Sequence, residues 1–253
     1  MAFTIRAACL CNTGRIRSNN EDNFLFRGLS LRQENSALSA PLTHSCADTL
    51  RPVFAVFDGM GGESHGEAAA FSAAKAAYLV SCRQESLSEE FLNQAVLDIN
   101  RAVFRAAQNL GASRMGATLA MLGFENGVAW VCNLGDSRVF LLRGDAFGQL
   151  SVDHTDEQAL LARGIQRKPR LTQHLGIDPE EMLVEPHIAA GNIEAGDRFL
   201  ICSDGLTDML TPDEIGTALD TIRDPEACVR ALVEQALERG GKDNVTVIVC
   251  AVE

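Results

Sequence analysis

Three features of this 253-residue chain predict an α+β fold. Short runs rich in β-branched and aromatic residues recur along it. Helical stretches come in two groups that flank those runs. Successive strand-like runs are also joined by short turns, and short turns favour antiparallel sheets over a doubly wound parallel one.

The elements follow in order. Residues from about Gly28 to Pro52 carry serine, asparagine and proline with little periodicity, and read as an irregular insertion between strands. Val53 to Phe57 is the first clear strand. A first helix opens with Ser64 and Glu67 at capping-box spacing and runs through alanines to about Cys82. A second spans about Ser88 to Leu110, placing Phe91, Leu92, Ala95, Val96, Ile99, Val103 and Ala106 on one face, with Gly111 as its stop. Val128 to Cys132 and Arg138 to Leu142 read as strands joined by a short turn. From Asp153 to Pro186 a short helix around Gln158 to Ala162 leads into a basic loop, Arg163 to Arg170, and the whole stretch reads as a flap. Arg198 to Cys202 is a further strand. Thr211-Pro212-Asp213-Glu214 combines an N-cap, a first-turn proline and a capping glutamate, and Asp224-Pro225 starts another helix that ends before Gly240-Gly241. Val245 to Cys250 closes the sheet system. With no internal repeat and no low-complexity linker, residues 1–253 are expected to form one domain.

Composition sets the broad class. With 46% hydrophobic and 22% charged residues the chain can bury a proper core. No stretch approaches the roughly twenty uninterrupted apolar residues of a membrane span, and Met1 to Leu10 is too short and mixed for a signal peptide. No membrane association and a cytoplasmic location are therefore expected. The eight cysteines are scattered, mostly within apolar runs, and read as reduced core residues. A net charge of −12 with no extended basic patch argues against nucleic acid as a partner.

Part of that acidity sits beside glycine at the ends of apolar segments. Asp58-Gly59-Met60-Gly61-Gly62 follows one strand, Gly135-Asp136 interrupts another, Ser203-Asp204-Gly205 follows a third and Lys242-Asp243-Asn244 precedes the last. Each alone is compatible with a turn aspartate that caps local N–H groups. Several carboxylates gathered in one place would repel one another unless a divalent cation neutralised them, and oxygen-only donors select hard ions such as Mg²⁺, Mn²⁺ or Ca²⁺. The five histidines have no H-x₃-H or H-E-x-x-H spacing, and neither a Gly-x-Ser-x-Gly elbow nor a Walker loop occurs. A calcium-binding structural module is disfavoured because its acidic ligands would be closely spaced, whereas these are dispersed.

The blocks Gly14-Arg15-Ile16-Arg17-Ser18-Asn19-Asn20-Glu21-Asp22, Val56 to Gly62, Met115-Gly116-Ala117-Thr118, Leu134 to Arg138, Cys202 to Asp208 and Lys242 to Val247 stand in an order that resembles the metal-dependent protein phosphatases of type 2C. With Met60 and a compact length, the resemblance is to the bacterial branch. It implies two stacked antiparallel sheets flanked by helix pairs, with a metal cleft at one end of the sandwich. It further implies hydrolysis of protein phosphoserine and phosphothreonine with two or more Mn²⁺ or Mg²⁺ ions per chain. Asp58 is expected to bridge two ions, Asp204 and Asp243 to hold one of them, and the Gly59 carbonyl to reach the other. Asp136 with Asp204, and in one version Asp208, corresponds to a third position. Glu21 and Asp22 point to opposite faces if extended, so one of them faces the metals, and which one stays open. Arg17 matches the phosphate-binding arginine. Animal members carry a histidine where Met60 stands. Since Met60 cannot donate a proton, a metal-bound water or His65 is the candidate acid for the leaving group. The partners implied are phosphoprotein substrates and a cognate serine/threonine kinase, with the chain acting as a monomer. A phosphatase dedicated to one regulatory phosphoprotein and a non-catalytic binding relative remain as alternatives.

Overall fold

A computed structural model describes residues 2–32, 37–60, 65–83, 85–112 and 114–253. The chain runs β1 (Thr4–Asn12), β2 (Asp22–Phe26), β3 (Leu42–Ala47), a 3-10 turn (Asp48–Leu50), β4 (Val53–Met60), α1 (Gly66–Ser81), α2 (Glu89–Leu110), β5 (Gly116–Ala117), β6 (Leu119–Glu125), β7 (Val128–Leu134), β8 (Arg138–Arg143), β9 (Ala146–Gln149), α3 (Glu157–Ala162), β10 (His187–Asn192), β11 (Arg198–Cys202), α4 (Asp204–Thr207), α5 (Pro212–Thr221), α6 (Pro225–Glu238) and β12 (Val245–Val252).

The strands form two antiparallel sheets. One is ordered β3-β1-β12-β11-β8-β9 and the other β10-β7-β6-β4-β2, with the short β5 added at the end of β4. Their inner faces meet in an apolar layer. Ile5, Cys9, Phe199, Ile201, Ile248 and Cys250 come from the first sheet and Phe24, Phe26, Phe54, Leu122 and Phe124 from the second. Strand β6 shows why the sandwich holds. Its residues alternate, so that Ala120, Leu122 and Phe124 enter this layer while Leu119 and Met121 point the other way, against α1 and α2. On the far side, Ile215, Leu219, Val229, Leu232 and Val233 of α5 and α6 cover Leu200, Val247 and Val249. The architecture is α-β-β-α, as expected.

Helix ends follow the sequence signals. Ser88 accepts from the Phe91 amide, Gly111 stops α2 with φ 66°, and Thr211 and Glu214 close a full capping box. Asp224 accepts from the Ala227 amide. Helix α1 begins at Gly66, preceded by His65 in the left-handed region at φ 93°, while Ser64, read as its cap, and Gly61 and Gly62 lie outside the described residues. All eight cysteines are free and six are buried.

Two readings change. The stretch 28–52 is not wholly irregular, because β3 pairs along the edge of β1, from Thr4↔Ala47 to Cys9↔Leu42. Strands β7 and β8 are adjacent in the chain but are not a hairpin. They lie in different sheets, β7 paired with β6 and β10, β8 with β9 and β11. The turn between them carries the chain, and Asp136 with it, from one sheet to the other.

Candidate functional site

At one end of the sandwich the loops leaving both sheets surround a cleft of about 310 Å³. Asp58 arrives on β4 and Asp136 in the β7–β8 crossing. Asp204 opens α4 directly after β11, and Asp243 precedes β12. With Glu21, five carboxylates line the cleft against two cations, Arg17 and Lys168, alongside Gly59, Met60 and Thr118.

Backbone proximity explains two of the glycines. A Cβ on Gly59 would lie 2.0 Å from the Gly66 carbonyl oxygen and 2.5 Å from that of Glu21, and one on Gly205 would lie 1.9 Å from the Asn244 carbonyl oxygen. They allow the strand ends to touch, which is what gathers the neighbouring carboxylates.

The geometry separates Glu21 from Asp22. Glu21 lines the cleft, its amide held by the Asn244 side-chain oxygen at 2.6 Å. Asp22 lies buried behind it, cross-strand from Asp58, and its Oδ2 accepts from Ser203 Oγ and Thr246 Oγ1, both at 2.7 Å. Burial raises the Asp22 carboxyl to about 7, although the two hydroxyls pull it down, and the Asp204 and Asp243 charges push it further up. Asp58 is driven well above the usual carboxylate range, first by burial and then by Asp22, Asp204, Asp136 and Asp243. Asp136 rises to about 6 through burial and the nearby Asp204 and Asp153 charges. Asp204 is also raised by burial, while Lys168 opposes the rise. Arg17 Nη2 binds Asp243 Oδ2 at 2.7 Å, and the Lys168 ammonium lies 3.4 Å from Oδ2 of both Asp204 and Asp208.

Among the described residues, no group of three or more His, Cys, Asp or Glu side chains forms a ready ligand cage. The donor chemistry nevertheless fits a hard divalent ion. It consists of oxygens only, converging from separate elements, with carboxyls raised first by burial and then by one another's charge, a repulsion that a cation would relieve. Asp208 faces a neighbouring recess instead of the cleft, and His65 is not among the described residues lining either.

Several participants carry no acid-base signature in the sequence. Thr118 Oγ1 accepts from the Asp58 amide at 3.0 Å and lies 2.6 Å from Ser137 Oγ. Asn244 spans three segments, binding the Glu21 amide and donating to the Thr13 and Asn19 carbonyls at 2.8 and 2.9 Å. Thr246 could have been noticed as the one polar residue in the apolar β12. Lys168 had no signal beyond its place in a basic loop.

Comparison with known proteins adds independent observations. Residues 42–239 match the family described as protein phosphatase 2C. The chain is 30% identical over 272 residues to the serine/threonine protein phosphatase PstP of Mycobacterium tuberculosis, covering 100% of this chain but 46% of that protein, so it spans about half that relative's length. It is 28% identical over 252 residues to the serine/threonine phosphatase stp of Listeria monocytogenes, covering 93% and 91% of the two chains. Among solved structures, the PstP catalytic domain in complex with two manganese ions superposes with a TM-score of 0.75 at 28% identity, over 99% of both chains.

Proposed function

Because this chain belongs to the protein phosphatase 2C family, we propose that it hydrolyses phosphoserine and phosphothreonine in proteins, using two or more Mn²⁺ or Mg²⁺ ions held in the cleft. The observation that carries this reading is the convergence of five carboxylates from both sheets on one cleft with an all-oxygen donor set. The two manganese ions in the PstP structure support it.

In this reading Asp58 would serve both ions, Asp204 and Asp243 would hold one, and the Gly59 carbonyl and Glu21 would be available to the other, with Asp136 and Asp204 offering a further position. Divalent ions held there would supply a water of lowered pKa and neutralise charge on the phosphoryl oxygens. The remaining work belongs to the chain. Asp22 acts from behind, fixed by Ser203 and Thr246, and sets the charge felt by Asp58. Arg17, half exposed at the rim and already aligned by Asp243, offers a planar donor pair to a phosphoryl group. Met60 lines the cleft and has no proton to give. His65, immediately before α1, is the candidate acid offered by the sequence, and it does not line the cleft.

Phosphoproteins are the substrates proposed, with a cognate serine/threonine kinase as one of them and the chain acting as a monomeric single domain in the cytoplasm. No helix among the described residues is long and apolar enough to cross a membrane. Purified protein should hydrolyse p-nitrophenyl phosphate and a phosphothreonine peptide with Mn²⁺ or Mg²⁺. EDTA should abolish the activity and Asp58→Asn should lower it by about 10²–10³-fold. Activity undiminished by either would refute the proposal. Activity on the small ester and none on peptides would favour a phosphatase dedicated to one partner.

A further inference from the structure

A second cavity lies on the flank of the sandwich and shares no lining residue with the carboxylate cleft. It is a crevice of about 390 Å³ between the sheets, beside β10 at the edge of one of them, with Val131, Leu141 and Phe199 among the apolar residues inside it. Strand β10 leaves it open because its inward positions are small. Ala189 and Gly191 pair with Val131 and Ala129, which belong to the layer between the sheets, so they face the same way. A Cβ built on Gly191 would meet no atom within 4 Å. Sandwich interiors are ordinarily close-packed, yet at these two positions no side chain is long enough to reach the opposite sheet.

The strand beside the crevice is also unguarded as an edge. From His187 to Asn192 it has neither lysine nor proline, its register on β7 is unbroken, and Ala190, Gly191 and Asn192 are exposed. The Asn192 carbonyl points away from β7, accepting from Arg143 Nη2 at 2.8 Å. Alternation turns the backbone of Ala190 and Ile188 the same way, and among the described residues no hydrogen bond reaches it there. The mouth is net acidic. Arg143 is shared between Asp197, at 2.7 and 2.6 Å, and Glu194, at 2.9 Å, and the Glu194 side chain is 65% exposed.

We infer that β10 is a docking edge for an extended peptide of another protein, which adds as a strand and lowers one large apolar side chain, flanked by lysine or arginine, into the crevice. A peptide residue opposite Ala189 or Gly191 shares their inward face, so main-chain pairing and side-chain insertion happen together. A second copy of this chain is a poor occupant. The inward residues of its own β10 are Ala189, Gly191 and His187, the first two too small and the third already held at the Leu150 carbonyl, 3.2 Å away. Basic flanks complement Glu194 and the net charge of −12.

The test is fluorescence anisotropy of synthetic peptides as long as β10, with lysine at both ends, threonine between and leucine, phenylalanine or alanine at the centre, added to the full chain. The better of the leucine and phenylalanine peptides should bind about ten-fold more tightly than the alanine peptide and protect the Ile188 and Ala190 amides from hydrogen exchange. Gly191→Val and Ala189→Leu each fill the crevice from within. Whichever of them keeps the wild-type denaturation midpoint should weaken binding about ten-fold. Glu194→Lys should weaken it about three-fold at low ionic strength and by less in high salt. N-methylation of the peptide amides that face β10 should abolish binding. Failure of every peptide to bind, equal affinity for the alanine and leucine peptides, or undiminished binding to a folded crevice-filling variant would each overturn the inference. Undiminished binding of the N-methylated peptide would mean that the crevice takes an apolar group without strand addition, and a dimer of the chain that the peptide dissociates would assign the edge to a second copy. Either result would overturn it as well.

Discussion

Asp22 illustrates how a residue can be visible in sequence while its role is not. It stands next to Glu21 in a recognisable block, yet only packing decides that Glu21 meets the cleft and Asp22 meets Ser203 and Thr246. Its titration has a consequence for stability. Folded, the carboxyl holds its proton up to about pH 7, whereas in the unfolded chain it loses it near pH 4. The folded state therefore binds more protons between those values, and this contribution is full below about pH 4 and lost as pH rises to about 7. Asp58, Asp136 and Asp204 shift in the same direction. His44 and His154, lowered by burial, act oppositely, adding stability as pH rises past their depressed values. A difference measurement cancels the histidine part of that background. In chelator, the denaturation free energy of wild type minus that of Asp22→Asn should fall between pH 4 and 7, by up to about 4 kcal/mol. Saturating Mn²⁺ should flatten the slope, and a difference that rises with pH would contradict the assignment.

Among the elements, those with strong local signals were legible. Helices α2, α5 and α6 announce their caps, and β11 and β12 are continuous apolar runs bounded by polar residues. Strand β6 was not legible, because Leu-Ala-Met-Leu favours helix and only burial on both faces makes it a strand. Strand β1, rich in Ala and Cys, and the five-residue β2 give similarly weak patterns, and β3 is a half-exposed edge. The crossing between β7 and β8 was not legible either, because a short turn does not reveal which sheet the next strand joins. At the start of α4, tight approach makes a sharp prediction. Gly205→Ala would drive a methyl group into the Asn244 carbonyl, costing about 2–3 kcal/mol and displacing both Asp204 and the Asn244 contact to Glu21. Chemical denaturation and Mn²⁺ affinity should both report the loss, and a variant as stable and as tight-binding as wild type would contradict the geometry.

For the whole molecule, stability and site separate along the length of the sandwich. Phe54, Phe124 and Phe199 make an edge-to-face series that joins the two sheets, with centroid distances of 6.5 and 5.4 Å. Phe124 is next to the end of β6 opposite the cleft, since Thr118, just before the strand begins, already touches Asp58. Phe124→Ala should cost about 3–5 kcal/mol in denaturation while leaving Mn²⁺ affinity unchanged. A parallel loss of affinity would mean that the core and the cleft are mechanically one.

The β1–β12 ladder runs the same length. It is closed at one end by Thr4 and Glu253, which exchange backbone hydrogen bonds of 2.7 and 2.8 Å, and it ends at Asn12↔Val245, beside Gly14 and Asp243. Eight rungs, about 25 Å, lie between. Force applied across Thr4 and Glu253 would therefore open this ladder like a zipper, one rung at a time, and the carboxylates would be the last to feel it. A tether or fusion at either of those residues would hold the molecule by its far pole and leave the mouth of the cleft facing outward.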